Sequence, residues 1–169
     1  IIPDTVTDIK DMIFTGCHSS SIVEVDISTG TEVLSLEGWH HSVKSKIKSI
    51  TIPDTVSTIG ENAFSGCYSL ASITIPDSVK TIGNSAFYEC SSLTSIAIPK
   101  LVTIGAYAFR GCSSLASVII IPESGVTVGK NAFEGCTLLK AFFNFSNQKV
   151  NVPNIDLLCF QTFNNYDNN

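Results

Sequence analysis

Apolar and polar residues alternate over short stretches of this chain, and the same stretch returns about every 23 residues. In residues 70–76 (LASITIP), the apolar Leu70, Ile73 and Ile75 are separated by the polar Ser72 and Thr74. Alternation of this kind, rich in β-branched residues, predicts a short strand with one buried face. The strand is expected to end at the proline that follows, because proline has no amide donor for a sheet.

A second strand and a turn complete the unit. Val79 and Ile82 form the next apolar pair, which predicts another short extended segment ending at the glycine that follows. Ala86, Phe87 and Cys90 come next at near-helical spacing. This spacing predicts a single helical or 3₁₀ turn.

Five copies of the unit are recognisable, each with a proline after the strand and a phenylalanine followed three positions later by cysteine. They begin at Ile2, Ile52, Ile75, Ile98 and Ile121. Residues 22–46 read as a degenerate copy, in which Trp39 takes the place of the phenylalanine. One unit buries too little apolar surface to offset the entropy of ordering its backbone, so the units are expected to stack into a solenoid.

The repeats are predicted to occupy residues 1–145, including a final strand over residues 139–145, and an Asn-rich tail to occupy 146–169. The tail contains an apolar run that would form a cap on the last repeat or dock on a partner. Its docking residues are predicted to be Leu157, Leu158, Phe160 and Phe163. The first repeat has nothing in the sequence to cover it, which predicts further repeats or another chain packed there.

The consensus LxxIxIPxxVxxIGxxAFxxCxxL resembles the BspA-type leucine-rich repeat of bacterial and protist surface proteins. The repeated glycine, the AF pair and the cysteine carry the resemblance, although Lys10 and Ile13 depart from it in the first copy. The resemblance implies a mainly β leucine-rich repeat solenoid, a curved right-handed stack with a parallel concave sheet. Short strands and helical or 3₁₀ turns would form its convex side. Members resemble adhesins, and the family supplies no catalytic residues to carry over.

Five of the six cysteines occupy one repeat position. Stacking would place Cys17, Cys67, Cys90, Cys112 and Cys136 in a ladder, which we interpret as buried free thiols. Disulfides between neighbouring repeats are an alternative, and a metal site lacks the usual CxxC spacing.

The predicted concave face is a strip of small polar residues that is acidic at one end. It is either a solvated β surface or a surface that binds a protein; an ice-binding array is less consistent, because an alanine and an isoleucine interrupt the Ser/Thr pattern. The predicted partner-binding residues are Glu24, Asp26, Ser49, Thr51, Ser72, Thr74, Ser95, Ala97, Ser117 and Ile119.

Composition excludes several classes of function. A net charge of −5 argues against nucleic-acid binding, and no apolar run is long enough to span a membrane. No nucleophile motif is present, and His40 and His41 lack a third ligand, so neither an enzyme nor a metal or cofactor site is expected. Lys44, Lys46 and Lys48 are interpreted as a solvated face, or as a site for an acidic partner.

The sequence therefore predicts a non-enzymatic interaction module, exposed at a cell surface or secreted, that binds a protein ligand such as a matrix or cell-surface protein. The alternative is a structural subunit of a larger assembly, held to a neighbouring subunit through its open N-terminal end and its apolar tail.

Overall fold

A computed structural model describes residues 24–26, 33–34, 44–99, 102–116, 118–121 and 127–144. Its strands are all short. They are β1 (Glu24–Asp26), β2 (Val33–Leu34), β3 (Ser49–Thr51), β4 (Thr58–Ile59), β5 (Ser72–Thr74), β6 (Thr81–Ile82), β7 (Ser95–Ala97), β8 (Thr103–Ile104), β9 (Val118–Ile121) and β10 (Ala141–Asn144).

The strands fall into two parallel series, one for each strand of the repeat. The longer strands form the pairs β1–β3, β5–β7 and β9–β10, and we call the series of β1, β3, β5 and β7 the long-strand face. Strand β3 contacts β5, and backbone bonds join the residues before the strands, as from the Thr94 amide to the Ala71 carbonyl at 2.9 Å. The short strands β2, β4, β6 and β8 make one sheet, the short-strand face, and Val128 pairs with Ile104 to extend it.

Equivalent residues of successive repeats lie beside one another. Ile73 pairs with Ile96 on the long-strand face, and Ile59 pairs with Ile82 on the short-strand face. The fold is therefore a mainly β leucine-rich repeat solenoid, as the period predicts, in which each repeat covers the apolar side chains of the next.

The core lies between the two faces and is built from one row of side chains for each repeat position. The aromatic row is fully buried, and its rings stack at centroid distances of 5.0 to 5.2 Å. It consists of Phe64, Phe87, Phe109 and Phe133. Parallel rows of isoleucine, valine, leucine, alanine and cysteine complete the core and leave only a few per cent of their surface exposed.

The predicted helical or 3₁₀ turn is a run of separate turns and not a continuous helix. Its hydrogen bonds do span three residues, as from the Cys90 amide to the Phe87 carbonyl at 3.2 Å. However, Ser85 and Glu89 have positive φ angles of 51° and 57°, which a right-handed helix does not allow. These left-handed residues turn the chain and let successive turns bond to each other, as in the 2.7 Å bond from the Phe87 amide to the Ala108 carbonyl.

The glycine of the AF turn is required because the backbones of successive repeats approach closely at that position. A Cβ atom on Gly83 would lie 2.7 Å from the Gly60 carbonyl carbon, and one on Gly105 would lie 2.6 Å from the Gly83 carbonyl carbon. The Gly105 amide also donates to the Ile82 carbonyl at 2.8 Å. The repeated glycine is therefore a point of close approach between the backbones of successive repeats.

Several predictions fall outside the described residues. These are the first repeat, the Trp39 position of the degenerate copy, the histidines and the tail with Leu157, Leu158, Phe160 and Phe163. The final strand is confirmed, as β10 beside β9. The interpretation of the lysines as a solvated face is wrong for Lys44, which is 8% exposed and whose Nζ donates to the Asn62 carbonyl at 3.4 Å.

Candidate functional site

The middle of the long-strand face is an exposed row of small side chains. Ser72, Thr74, Ser95 and Ala97 all point to solvent, because Ile73 and Ile96 between them are buried and side chains alternate along a strand. The pairing places Ser72 beside Ser95 and Thr74 beside Ala97. The surface here is flat and uncharged, and it can make hydrogen bonds through hydroxyl groups.

The row continues towards the N-terminal side through β3. Thr51 is exposed, whereas Ser49 is half-buried. The backbone register of β1 places Glu24 beside Ser49 and Asp26 beside Thr51. The pairing thus places two acidic residues in register with the Ser/Thr strip at this end.

Two of the predicted binding residues come later in the chain. Ile119 belongs to β9, where it pairs with Phe142, and Ser117 lies outside the described residues. The predicted positions in β1, β3, β5 and β7 are therefore in one parallel series, whereas β9 is described beside β10. Whether they bind a partner is a separate matter, and it stays a prediction.

A second row of exposed residues on the same face was not predicted. The residues immediately before β3, β5 and β7 are exposed; they are Lys48, Ala71 and Thr94. The Thr94 hydroxyl donates to the Ala71 carbonyl at 3.1 Å. Alternation along the strand would bury this position. It directly follows the buried row of Ile47, Leu70 and Leu93, and the residue after it is exposed in β5 and β7. The signal was present in the repeat as a polar or small residue after the first apolar one.

The cysteine ladder is confirmed as buried free thiols for Cys67, Cys90, Cys112 and Cys136, while Cys17 lies outside the described residues. Three of the thiols donate to a phenylalanine carbonyl of the preceding repeat, at 3.1 to 3.2 Å. These hydrogen bonds join neighbouring repeats within the core.

Cys67 and Cys136 are also poor nucleophiles. Burial raises the pKa of Cys67 from 9.0 to about 12, against a smaller opposing effect of Lys44. A hydrogen bond with Cys112, together with burial, raises the pKa of Cys136 as well. A thiol reacts as the thiolate, so these side chains contribute to structure and not to chemistry.

Neither metal ligands nor a membrane-spanning helix is found where the structure describes the chain. No group of three or more His, Cys, Asp or Glu residues is arranged to hold an ion in the described ranges. Within the same ranges, no helix has the length and apolar character needed to cross a membrane.

Two solved structures are similar to this chain. One is a leucine-rich repeat protein of T. pallidum, with 28% identity and a TM-score of 0.63, covering 71% of this chain and 57% of that one. The other is a leucine-rich repeat protein from Bacteroides ovatus, with 35% identity and a TM-score of 0.62, covering 72% of this chain and 33% of that one. The chain thus spans about a third to somewhat over half of the length of these proteins. A comparison with curated proteins found no match.

A family model gives the assignment over most of the chain. The model of the BspA type leucine rich repeat region matches residues 41–167 in six copies. The boundary between repeats and tail at residue 145 and the degenerate copy at residues 22–46 stay predictions. The repeat, the parallel stack and this match together show that the chain belongs to the BspA-type leucine-rich repeat family.

Proposed function

We propose that this protein is a non-enzymatic module that binds a protein ligand through the long-strand face. One observation carries the proposal: Thr51, Ser72, Thr74 and Ser95 are exposed along one face of a parallel stack of strands. Small hydroxyl side chains leave the sheet flat, so a partner can approach the strands closely and form hydrogen bonds along several repeats. Repeat stacks commonly use such extended surfaces for binding.

The proposal extends to an adhesin-like protein that is exposed at a cell surface or secreted and binds an extracellular matrix or cell-surface protein. It is supported by membership of a family whose members resemble surface proteins, and by the acidic residues Glu24 and Asp26 in register with one end of the strip. An acidic end would favour a ligand with a basic region.

The test is binding of the purified chain to immobilised fibronectin, laminin and collagen, measured by biolayer interferometry. The variant Thr74→Arg places a long charged side chain in the centre of the strip, and retention should fall at least about tenfold through steric and desolvation costs. Thr103→Arg is the matched control, because Thr103 is an equally exposed strand threonine on the short-strand face. Retention that Thr74→Arg leaves unchanged, or that both variants reduce equally, would refute binding through the long-strand face.

A further inference from the structure

The turns that follow the short strands form a third surface, at residues 62–68, 85–91, 107–113 and 131–137, which we call the turn edge. Each repeat has a left-handed residue near the end of its turn, and three repeats use glycine there. These are Gly66, Gly111 and Gly135, with φ angles of 76° to 78°. In the remaining repeat the position is held by Glu89, with a φ of 57°.

The next repeat also departs from the common pattern of left-handed residues. The first left-handed residue of the turn is Asn62, Ser85 or Asn131 in three repeats, but Tyr107 in the fourth, with a φ of 58°. Asparagine tolerates this conformation, whereas a bulky side chain is strained in it. Backbone strain of this kind is often retained where a side chain serves a function. Two strained positions in neighbouring repeats therefore direct attention to this part of the turn edge.

The carboxylate of Glu89 lies among tyrosines. The Tyr68 hydroxyl donates to its Oε2 at 3.2 Å, and Tyr88 precedes it in the chain. Partial desolvation, this hydrogen bond and the charge of Glu89 raise the pKa of Tyr68. Tyr68, Tyr88 and Glu89 are each half-buried, and the Tyr68–Glu89 hydrogen bond joins neighbouring repeats on the turn edge.

Glu89 has no cationic partner in the part of the chain that the structure describes. The nearby cation is Arg110, whose backbone carbonyl accepts the Glu89 amide at 2.7 Å. Its side chain is engaged elsewhere: the Nε contacts Glu134 Oε2 at 3.1 Å, and the guanidinium lies 5.4 Å from the Tyr107 ring centroid. Glu134 also accepts a bond from Asn131 at 3.1 Å. Glu134 is thus paired with a cation, whereas Glu89 is not paired with one among the described residues.

We infer that Glu89, Tyr68 and Tyr88 form a recognition site for a lysine or arginine side chain presented by a protein partner. The carboxylate supplies a charge-assisted acceptor, and the phenol rings attract a cation through their faces. The net charge of −5 favours encounter with a basic region of the partner. This site lies on the turn edge and is distinct from the long-strand face of the proposed function.

The test uses the full chain and a fluorescein-labelled peptide, Gly-Lys-Gly-Lys-Gly-Lys, in a fluorescence anisotropy titration at low ionic strength. The wild-type chain should bind this peptide and should not bind the same peptide with each lysine acetylated. Glu89→Gln removes the charge but keeps the size of the side chain, and it should weaken binding at least about fivefold. Tyr88→Ala should also weaken binding, since it removes a ring, and Tyr88→Phe should not.

Glu61→Gln is the matched control, because Glu61 is exposed beside the same turns and the substitution changes the net charge equally. Its binding should stay within about twofold of wild type. Equal weakening by Glu89→Gln and Glu61→Gln would show general attraction to an acidic protein and overturn the inference, as would failure of the wild-type chain to bind. Thr74→Arg should leave peptide binding unchanged, which separates this site from the long-strand face.

Discussion

The close approach of the repeats at their glycines leads to a quantitative prediction for Gly105→Ala. The new methyl group would lie 2.5 Å from the Asn84 amide nitrogen and 2.6 Å from the Gly83 carbonyl carbon. Both are backbone atoms of the preceding repeat, so neither can rotate away. The repeats must separate locally, and the 2.8 Å bond from the Gly105 amide to the Ile82 carbonyl lies at the same point.

The magnitude follows from that separation. Ordinary van der Waals contact begins at 3.4 Å, so the backbones must move apart by about 0.9 Å to relieve the 2.5 Å contact. The same movement takes the hydrogen bond to about 3.7 Å and effectively breaks it. A lost backbone bond costs about 0.5 to 1.5 kcal/mol, and strained packing adds about 1 to 3 kcal/mol. We therefore expect Gly105→Ala to lower the free energy of unfolding by about 2 to 4 kcal/mol.

Gly111→Ala is the matched control because it tests a different requirement for glycine. Gly111 has a φ of +77°, but the nearest atom to a new Cβ would be the side-chain Cγ of Glu89 at 3.1 Å, which can move. Only the left-handed conformation is penalised, by about 1 to 2 kcal/mol. The steric account therefore predicts that Gly105→Ala is the more damaging of the two.

Urea denaturation followed by circular dichroism measures both variants on the full chain. The midpoints convert to free energies if the denaturant slope is the same in all three proteins. The close-approach argument is refuted if Gly105→Ala is as stable as wild type, or if it loses less stability than Gly111→Ala.

Three further predictions concern the core. Phe87 stacks on Phe64 at 5.0 Å and on Phe109 at 5.1 Å. In urea denaturation, Phe87→Ala should lower the free energy of unfolding by about 3 to 5 kcal/mol, and Phe87→Leu by less than half of that. A loss under about 2 kcal/mol for the alanine variant would contradict the stacking account. A thiol reagent followed by peptide mass spectrometry should label the four buried cysteines only at the rate of unfolding, and rapid labelling of Cys67, Cys90, Cys112 or Cys136 in the folded chain would show that the ladder is open. Burial raises the pKa of Cys67 from 9.0 to about 12, so the thiol ionises at lower pH in the unfolded chain than in the folded one. The contribution of Cys67 to the free energy of unfolding should therefore be constant below pH 9. It should fall above pH 9, by about 1.4 kcal/mol at pH 10. Cys67→Ala should show a shallower decline between pH 9 and 11 in urea denaturation, and an identical slope would refute the assignment.

The stack of strands could be predicted from the sequence, whereas the backbone conformation of the turn could not. The alternation of Ile73 with Ser72 and Thr74 is enough to predict a strand and its buried face, and the repeat period is enough to predict that Ile73 lies beside Ile96. A helical or 3₁₀ turn was predicted from the spacing of the apolar residues. The φ angles of the turn do not fit a right-handed helix. Residues such as Ser85 and Glu89 carry no sequence signal for a left-handed conformation.

The candidate surfaces show the same division. The strip of Ser72, Thr74 and Ser95 could be predicted from alternation alone, because strand periodicity fixes which side chains face outward. The outward position of Ala71 could not, since it lies where the alternation ends. The Glu89 site also could not be predicted, because Tyr68 and Glu89 are brought together by stacking of two repeats and not by their spacing in the chain.

The sequence by itself determined the repeat, the parallel stack and the identity of the core rows, since a unit repeated at constant spacing can bury its apolar residues only against its own copies. It also determined that proline, phenylalanine and cysteine serve structure. Only the tertiary structure decided which glycines are required by close approach and which by a positive φ. It also decided which carboxylate of the turn edge has no cation beside it among the described residues. Those properties depend on distances between repeats, which the order of residues along the chain does not contain.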